Sequence, residues 1–460
     1  MTPTRPHGQT GIDLEQAVGI GSPKAVELWL EVTDPVERAR QLEDLDPPDR
    51  RRLGDLLDDD TADELLVAVD ADLAAEVLTA LPAAHAATLL AALDSDVAAD
   101  ILRAVDADHR EELLSLTPTP HASVLRGLLS WPEDSAAAHM VPETLTVAPT
   151  MTAAEAVTAV RTLAGELRSD SRTGAYVYVV GGDRHLLGVV AFRNLVLADA
   201  DQVVADLMDD DVVTVAPLTD QEQAAQILSD HRLLALPVVD GDGRLLGILT
   251  EDDAADIAEE EATEDAERQG GSEPLDVPYL RASPWLLWRK RIVWLLVLFV
   301  AEAYTGTVLR AFEDELEAVV ALAFFIPLLI GTGGNTGTQI TTTLVRAMAT
   351  GQVRFRDLPA ILGKELSTGA MIALAMAAAA VIRAWTLGVG PEVTLTVSLS
   401  VAAIVMWASF VSSILPLVLK KIGVDPAVVS APMIATIVDG TGLIIYFMIA
   451  KLTLSQLAGL

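Results

Sequence analysis

The residues best suited to chemistry are oxygen donors placed where oxygen donors are costly. Asp439 lies inside a long apolar run, in Ala435-Thr436-Ile437-Val438-Asp439-Gly440-Thr441-Gly442, with no lysine or arginine within a helical turn or two. An ionisable side chain at membrane depth normally faces a cavity or a partner. The plain alternative for Asp439 is a hydrogen bond to a neighbouring hydroxyl; a carboxylate that stays ionised there needs water or a cation. A second apolar run contains Gly331-Thr332-Gly333-Gly334-Asn335-Thr336-Gly337-Thr338-Gln339, with Asn335 and Gln339 on one helical face. Its glycines suit either close helix packing or a helix that unwinds beside a cavity. Glu302 is a third acid in an apolar run, and a structural and a functional role are equally open for it. One carboxylate with amide, hydroxyl and backbone oxygens, and no His or Cys, disfavours zinc and copper. It suits magnesium, which sheds water reluctantly and takes few protein ligands, above all if a two-fold dimer brings two Asp439 side chains to one axis.

A different acid pattern precedes the apolar runs. Glu251, Asp252, Asp253, Asp256, Glu259, Glu260, Glu261, Glu264 and Asp265 crowd one helical stretch. Asp253, Asp256 and Glu260 fall on one face of it. As a solvated linker this stretch is unremarkable. As an ion sensor it is held apart by self-repulsion and drawn together by bound cations.

Charge is distributed unevenly along the 460 residues. Residues 1–280 carry 18 Lys and Arg against 56 Asp and Glu, whereas residues 281–460 carry 13 against 10; the whole chain has a net charge of −35. The acidic half repels itself when compact, and divalent cations relieve this best. The absence of cysteine excludes disulfides, thiolate metal sites and cysteine nucleophiles. The seven histidines are scattered and no nucleophile stands with a matched base, so an enzyme is not expected. Nor is a nucleic-acid partner. Residues 1–20 lack a signal-peptide pattern and are expected to stay in the cytosol.

The elements that must position these residues fall into two classes. Five apolar segments, about 292–311, 318–345, 366–388, 393–418 and 430–451, each approach the roughly 20 residues that cross a bilayer. Arg289, Lys290 and Arg291 precede the first; Arg346, Arg354, Arg356 and Lys364 lie between the second and third; Lys420 and Lys421 lie between the fourth and fifth. The positive-inside rule then places the N-terminus in the cytoplasm and the C-terminus outside. Trp285, Trp288 and Trp294 suit an interfacial belt.

In the acidic half, residues 46–129 show a twelve-residue repeat starting at Asp46, Asp58, Asp70, Pro82, Asp94, Asp106 and Pro118. Asp or Pro at each start predicts a capped helix, and seven such helices predict a superhelical stack. Residues 136–260 hold two matching units. Strands are expected at Tyr176–Val180 and Leu186–Val190, then at Leu236–Asp240 and Leu245–Leu249, after helices at Ala153–Ala164 and Gln221–Asp230.

With these motifs in place, the chain resembles the MgtE family of magnesium channels. The resemblance is carried by Pro327 through Gln339, by Lys364-Glu365-Leu366, by the Asp439 segment and by Glu261-Ala262-Thr263-Glu264-Asp265. Leu236-Pro237-Val238-Val239-Asp240 and Gly247-Ile248-Leu249-Thr250 look like CBS domains. The resemblance covers nearly the whole chain from about residue 40. It implies a multidomain fold: a flexible N-terminal segment (1–40), an α-helical superhelical N-domain (41–132), tandem α/β CBS domains (136–199 and 200–260), an acidic connecting helix (252–275) and a five-helix transmembrane domain (276–460). It implies a homodimer in the lipid bilayer of the cell membrane, with a magnesium-selective pore on its axis, closed by cytosolic magnesium. The matching pore positions are Asp439, Asn335 and the backbone at Ala435. The matching sensor positions are Asp220, Glu222, Asp253, Asp256, Glu261, Glu264 and Asp265, with Asp96 or Asp100 from the helical domain. Some members bind ATP between CBS domains. Tyr176, Arg193 and Asn194 match that site, with Asn194 where a ribose-binding Asp is expected. Arg232 and Ala431 are further departures, standing where the family carries an acid and a polar residue. An ion-coupled divalent carrier and a membrane-anchored nucleotide sensor are the alternatives.

Overall fold

The structure is a computed structural model that describes residues 13–57, 59–67, 69–167, 175–428 and 431–457. It divides into two compact units, Met1–Glu259 and Glu260–Leu460, each described by itself.

The first unit opens with helices α1 (Leu14–Ile20), α2 (Pro23–Val32) and α3 (Pro35–Glu43). The repeat then yields one helix per twelve residues: α4 (Pro47–Leu56), α5 (Asp59–Val67), α6 (Ala71–Thr79), α7 (Ala83–Leu90), α8 (Ser95–Ala104), α9 (Ala107–Leu116) and α10 (Thr119–Leu128). Asp70 and Asp106 cap their helices by accepting from Leu73 N at 2.9 Å and His109 N at 3.2 Å. Asp46 and Asp94 hold the cap position without a side-chain bond to the helix. Helices this short are marginal alone and are held by their buried stripe. The eighth repeat position (Leu53, Leu65, Val77, Leu89, Ile101, Leu113 and Leu125) is buried in every helix. Each helix packs on the next but one, α4 on α6, α6 on α8, α8 on α10, α5 on α7 and α7 on α9, which makes the superhelical stack.

Residues 14–40 correct the expectation of a flexible N-terminal segment. Leu14, Trp29 and Leu30 are fully buried. Gln41 Oε1 accepts from Leu14 N and from Trp29 Nε1, both at 2.9 Å. α1 packs on α4 and α2 on α5, so the stack continues upstream of the repeat. These helices lack the twelve-residue period but carry their own start signals, Asp13, Ser22-Pro23 and Asp34-Pro35. Residues 1–12 lie outside the described residues.

Next come β1 (Thr146–Val147), α11 (Ala153–Leu167), β2 (Tyr176–Val180), β3 (Leu186–Ala191) and α12 (Phe192–Leu197). They are followed by α13 (Gln221–His231), β4 (Ala235–Val239), β5 (Leu245–Thr250) and the acidic helix α14 (Glu251–Gln269), which is part of the first unit as far as Glu259. β2 pairs antiparallel with β3, and β4 with β5. β1 runs parallel to β2; in the second repeat a single parallel bridge, Val215 to Val238, takes its place. The two halves are thus copies of one α/β plan.

In the second unit, α15 (Pro284–Ala311), α16 (Glu313–Ala318), α17 (Ile326–Ala349), α18 (Leu358–Leu387), α19 (Pro391–Lys421) and α20 (Ala431–Thr453) follow the last turns of α14. Among the described residues five helical segments are long and apolar enough to cross a membrane: Pro284–Ala311, Val320–Ala349, Phe355–Leu387, Pro391–Lys421 and Ala431–Thr453. The glycine-rich run does not unwind. It lies within α17, and its glycines admit neighbours: a Cβ on Gly333 would sit 2.7 Å from Ile404 and Val438, and one on Gly337 2.5 Å from Ile434 and 2.9 Å from Ser412 Oγ. Of the two roles open to small residues, close packing is the one observed here. Trp285 and Trp288 stack at 4.6 Å and are exposed, as an interfacial belt requires.

Truncating Trp29 to Ala removes a fully buried indole and its bond to Gln41. It is expected to destabilise the first unit by about 3 kcal/mol or more, read as a lower unfolding temperature of the whole protein in detergent. A flexible terminus would leave that temperature unchanged.

Candidate ion sites

The first site lies at the seam of α17 and α20. Asp439 is half-buried on α20, and its Oδ1 has no hydrogen-bond partner. Ala435 is one turn earlier on the same helix. Gly334 faces both: a Cβ there would meet Ala435 Cβ at 3.3 Å and Asp439 Oδ1 at 3.5 Å. Asn335, the next residue on α17, is exposed, as is Gln339 one turn on. The hydroxyl closest in sequence to Asp439, that of Thr441, is engaged elsewhere. It donates to the backbone of Ile437 and accepts from Trp407 Nε1 at 2.8 Å. Ala435 and Asp439 therefore share one helix seam against Gly334, while Asn335 lies beside it in sequence with an exposed side chain, and Asp439 Oδ1 is left without a local hydroxyl.

The second site is a cavity of about 300 Å³ inside the first unit. Asp94, Asp96 and Asp100, at the start and along the face of α8, line one side; Asp252, Asp253 and Asp256 of α14 line another. The repeat sets α8, and the end of β5 sets α14. Thr250, the last residue of β5, donates from Oγ1 to Asp253 Oδ2 at 2.5 Å. Asp96 is buried, with Oδ1 unpartnered. Its carboxyl is pushed well above the usual range by burial, then by the charges of Asp253 and Asp94. Burial likewise raises Asp253 to about 6, against the bonds from Thr250. Asp100 is raised by burial although His139 and Arg103 pull the other way, and Arg103 pairs with it directly. Of the two acids expected from the helical domain, both line the cavity, and Asp96 is the more buried. Among the described residues no three acid or imidazole groups form a ready-made metal cage. Such a chamber fits an ion that keeps its waters.

The remaining sensor candidates lie elsewhere. Asp220 caps α13, accepting from Gln223 N at 3.2 Å, and Glu222 is in the first turn of that helix; neither lines the cavity. Arg232 ends α13 in a left-handed conformation at φ 53°. Glu261, Glu264 and Asp265 belong to the second unit. There Arg268 pairs with Glu264 and, at 2.5 Å, with Asp425 Oδ2. Asp265 is half-buried and raised by burial, then by Asp425 and Glu261, against Arg346 and Lys420. Thr250, Arg268 and Asp425 were not singled out from sequence. Asp425 had a signal: it is an acid closely following Lys420 and Lys421 in the loop between the last two spans. For a nucleotide, Tyr176 pairs with Ala191 across β2 and β3, and Arg193 and Asn194 follow, exposed, on α12.

Comparison with known proteins adds to this geometry. The family profile described as "Divalent cation transporter" (MgtE) matches residues 326–449, the MgtE intracellular N domain matches 33–134, and a CBS domain matches 204–260. The magnesium transporter MgtE of Thermus thermophilus is 41% identical over 71% of this chain and 72% of its own length. That of Enterococcus faecalis is 32% identical over 71% and 70%. A crystal structure of the cytosolic domain of the Mg2+ channel MgtE in complex with ATP is 32% identical, covering 54% of this chain and 99% of that one, with a TM-score of 0.49.

The raised acids give a pH dependence of definite sign. A carboxyl whose folded pKa lies above its unfolded value stabilises the fold fully below the unfolded value, near 4, and loses that contribution as pH rises through the folded one. For Asp253 the window closes at about 6, and after discounting for its partial exposure the loss is on the order of 1–2 kcal/mol. Without divalent ions, the protein is expected to unfold at a lower temperature at pH 7.5 than at pH 5. Asp253→Asn is expected to raise the pH 7.5 value and flatten the difference. Identical pH profiles for the two proteins would contradict this.

Proposed function

The chain belongs to the MgtE family of magnesium transporters, and from that premise we propose that it is a magnesium-selective channel that admits Mg2+ and is closed by cytosolic Mg2+. As a family member with five membrane-length apolar helices, it is a multi-pass membrane protein. The observation that carries the channel reading is the unpartnered Asp439 Oδ1 at the glycine seam of α17 and α20. In a homodimer, two such seams on the two-fold axis would offer two carboxylates, with Asn335 and the Ala435 backbone nearby, to an ion that retains its waters. The basic loops support a cytoplasmic N-terminus and an outward C-terminus.

The gate follows from the acid chamber. Mg2+ held by Asp96, Asp100, Asp253 and Asp256 would neutralise carboxylates that burial and mutual repulsion hold in an unfavourable state. Asp220, Glu222, Glu261, Glu264 and Asp265 are the remaining proposed ligands of the sensor. When cytosolic Mg2+ falls, repulsion among the freed acids favours the conducting state. The ion shifts this equilibrium only as far as its affinities for the two states differ. ATP is proposed as a second ligand, its base on Tyr176 and its ribose bonded by the Asn194 amide beside Arg193.

Uptake into liposomes carrying the purified protein tests both parts. Asp439→Asn is expected to lower Mg2+ flux at least tenfold, and unchanged flux would remove Asp439 from the pathway. Replacing Asp253, Asp256 and Glu261 together by their amides is expected to preserve flux but abolish its inhibition by Mg2+ on the cytosolic side. Single-channel currents would distinguish a channel from a coupled carrier, which shows none.

A further inference from the structure

Glu302 in the first span has no task in the account so far. Its helix, α15, packs on α20. They meet at Gly440, where a Cβ would meet the Tyr304 ring at 2.5 Å and Thr305 Oγ1 at 3.3 Å. Successive spans alternate in direction, so the first and fifth cross the same way. Glu302 precedes Thr305 by three residues and Asp439 precedes Gly440 by one. At the rise of an α-helix these offsets are roughly 4.5 Å and 1.5 Å on the same side of the contact. The two acids are thus within one helical turn in depth on adjoining helices.

Thr305, at the contact with Gly440, is buried, with 6% of its surface exposed, and its Oγ1 has no hydrogen-bond partner. The neighbouring Asp439 Oδ1 has none either. No basic residue stands near in sequence: on α15 the nearest are Arg291 and Arg310, and on α20 it is Lys451. An exposed Glu side chain at membrane depth is costly unless it faces water, a partner or a cation. Two carboxylates at similar depth, one of them with an unpartnered oxygen, and one unpartnered hydroxyl, with no nitrogen or sulfur donor, form a hard-ligand set.

We propose that Glu302, together with Thr305 Oγ1, forms a second oxygen-ligand position beside Asp439 on the ion pathway, where a hydrated divalent cation is held before or after it is held by Asp439. Glu302 then helps to set the affinity for the transported ion and the preference for divalent over monovalent cations. The inference rests on Asp439 being the pore acid.

The test measures Mg2+ flux into liposomes as a function of Mg2+ concentration, and the Mg2+/Na+ flux ratio, for the full chain and three variants. Glu302→Gln is expected to raise the half-saturating Mg2+ concentration 3- to 10-fold and to lower the Mg2+/Na+ ratio, and Glu302→Asp to restore most of both. Should the amide variant fail to fold, Thr305→Val carries the same test, with an expected 2- to 3-fold weaker half-saturation. Asp439→Asn runs alongside. If it abolishes flux while Glu302→Gln and Thr305→Val behave as wild type, this inference falls and the pore reading stands. If Glu302→Gln, Thr305→Val and Asp439→Asn all conduct normally, both fall.

Discussion

Carboxylates held close together, where protein and membrane deprive them of solvent, set the terms for the rest of this structure. In the first unit the cost is visible in the acids' raised proton affinity: burial and neighbouring charge raise Asp96 and Asp253 above the ordinary range. In the second it is visible as geometry, in an intramembrane Asp439 whose Oδ1 bonds to nothing. Neither arrangement would persist without packing that over-determines it. In the first unit that packing is the helical stack, whose every eighth repeat position is buried, and the short strand β5, whose last residue holds Asp253. In the second it is the close approach of α17, α19 and α20 through Gly333, Gly334 and Gly337. On the proposed reading a divalent cation would relieve both kinds of cost, so that one ion would serve as cargo and as signal.

The two sites answer the same chemistry differently. Asp439 is the one acid of α20 and faces Gly334 at the seam with α17. A single acid suits an ion that must leave as readily as it arrives. The chamber between α8 and α14 gathers six acids. Dense negative charge in a partly enclosed space suits tighter holding. Arg268, between Glu264 and Asp425 in the second unit, is a third solution: a guanidinium pairs with two acids at once.

Much of this was legible residue by residue. The repeat helices announced themselves because cap, apolar position and period coincide every twelve residues. The strands of the duplicated α/β units were legible from short apolar runs around Gly-Asp turns, and they fall within a residue of where they were expected. Asp439 was legible because an acid in an apolar run is rare enough to demand a reason. What escaped was tertiary. Helices α1 to α3 follow no period, and only their burial reveals that they extend the stack. The glycine run suits an unwound segment as well as a packed one, and only the neighbours Ile404, Ile434 and Val438 decide in favour of packing. Local pattern could not say that Asp96 and Asp253, over 150 residues apart, line one cavity while Asp220 and Glu222 do not. Asp425 and Arg268 carry no ligand motif, and their roles show only in the ion pairs they make, with each other and between Arg268 and Glu264.

The central claim is that the acid clusters are held together by divalent binding rather than by general screening of charge. Limited proteolysis of the whole protein across residues 1–280 tests this most directly, with millimolar Mg2+ compared against Na+ at equal ionic strength. The account predicts slower cleavage in Mg2+ only, with protection lost when Asp96, Asp253 and Asp256 are replaced by asparagine. Equal protection by Na+, or none by Mg2+, would contradict it.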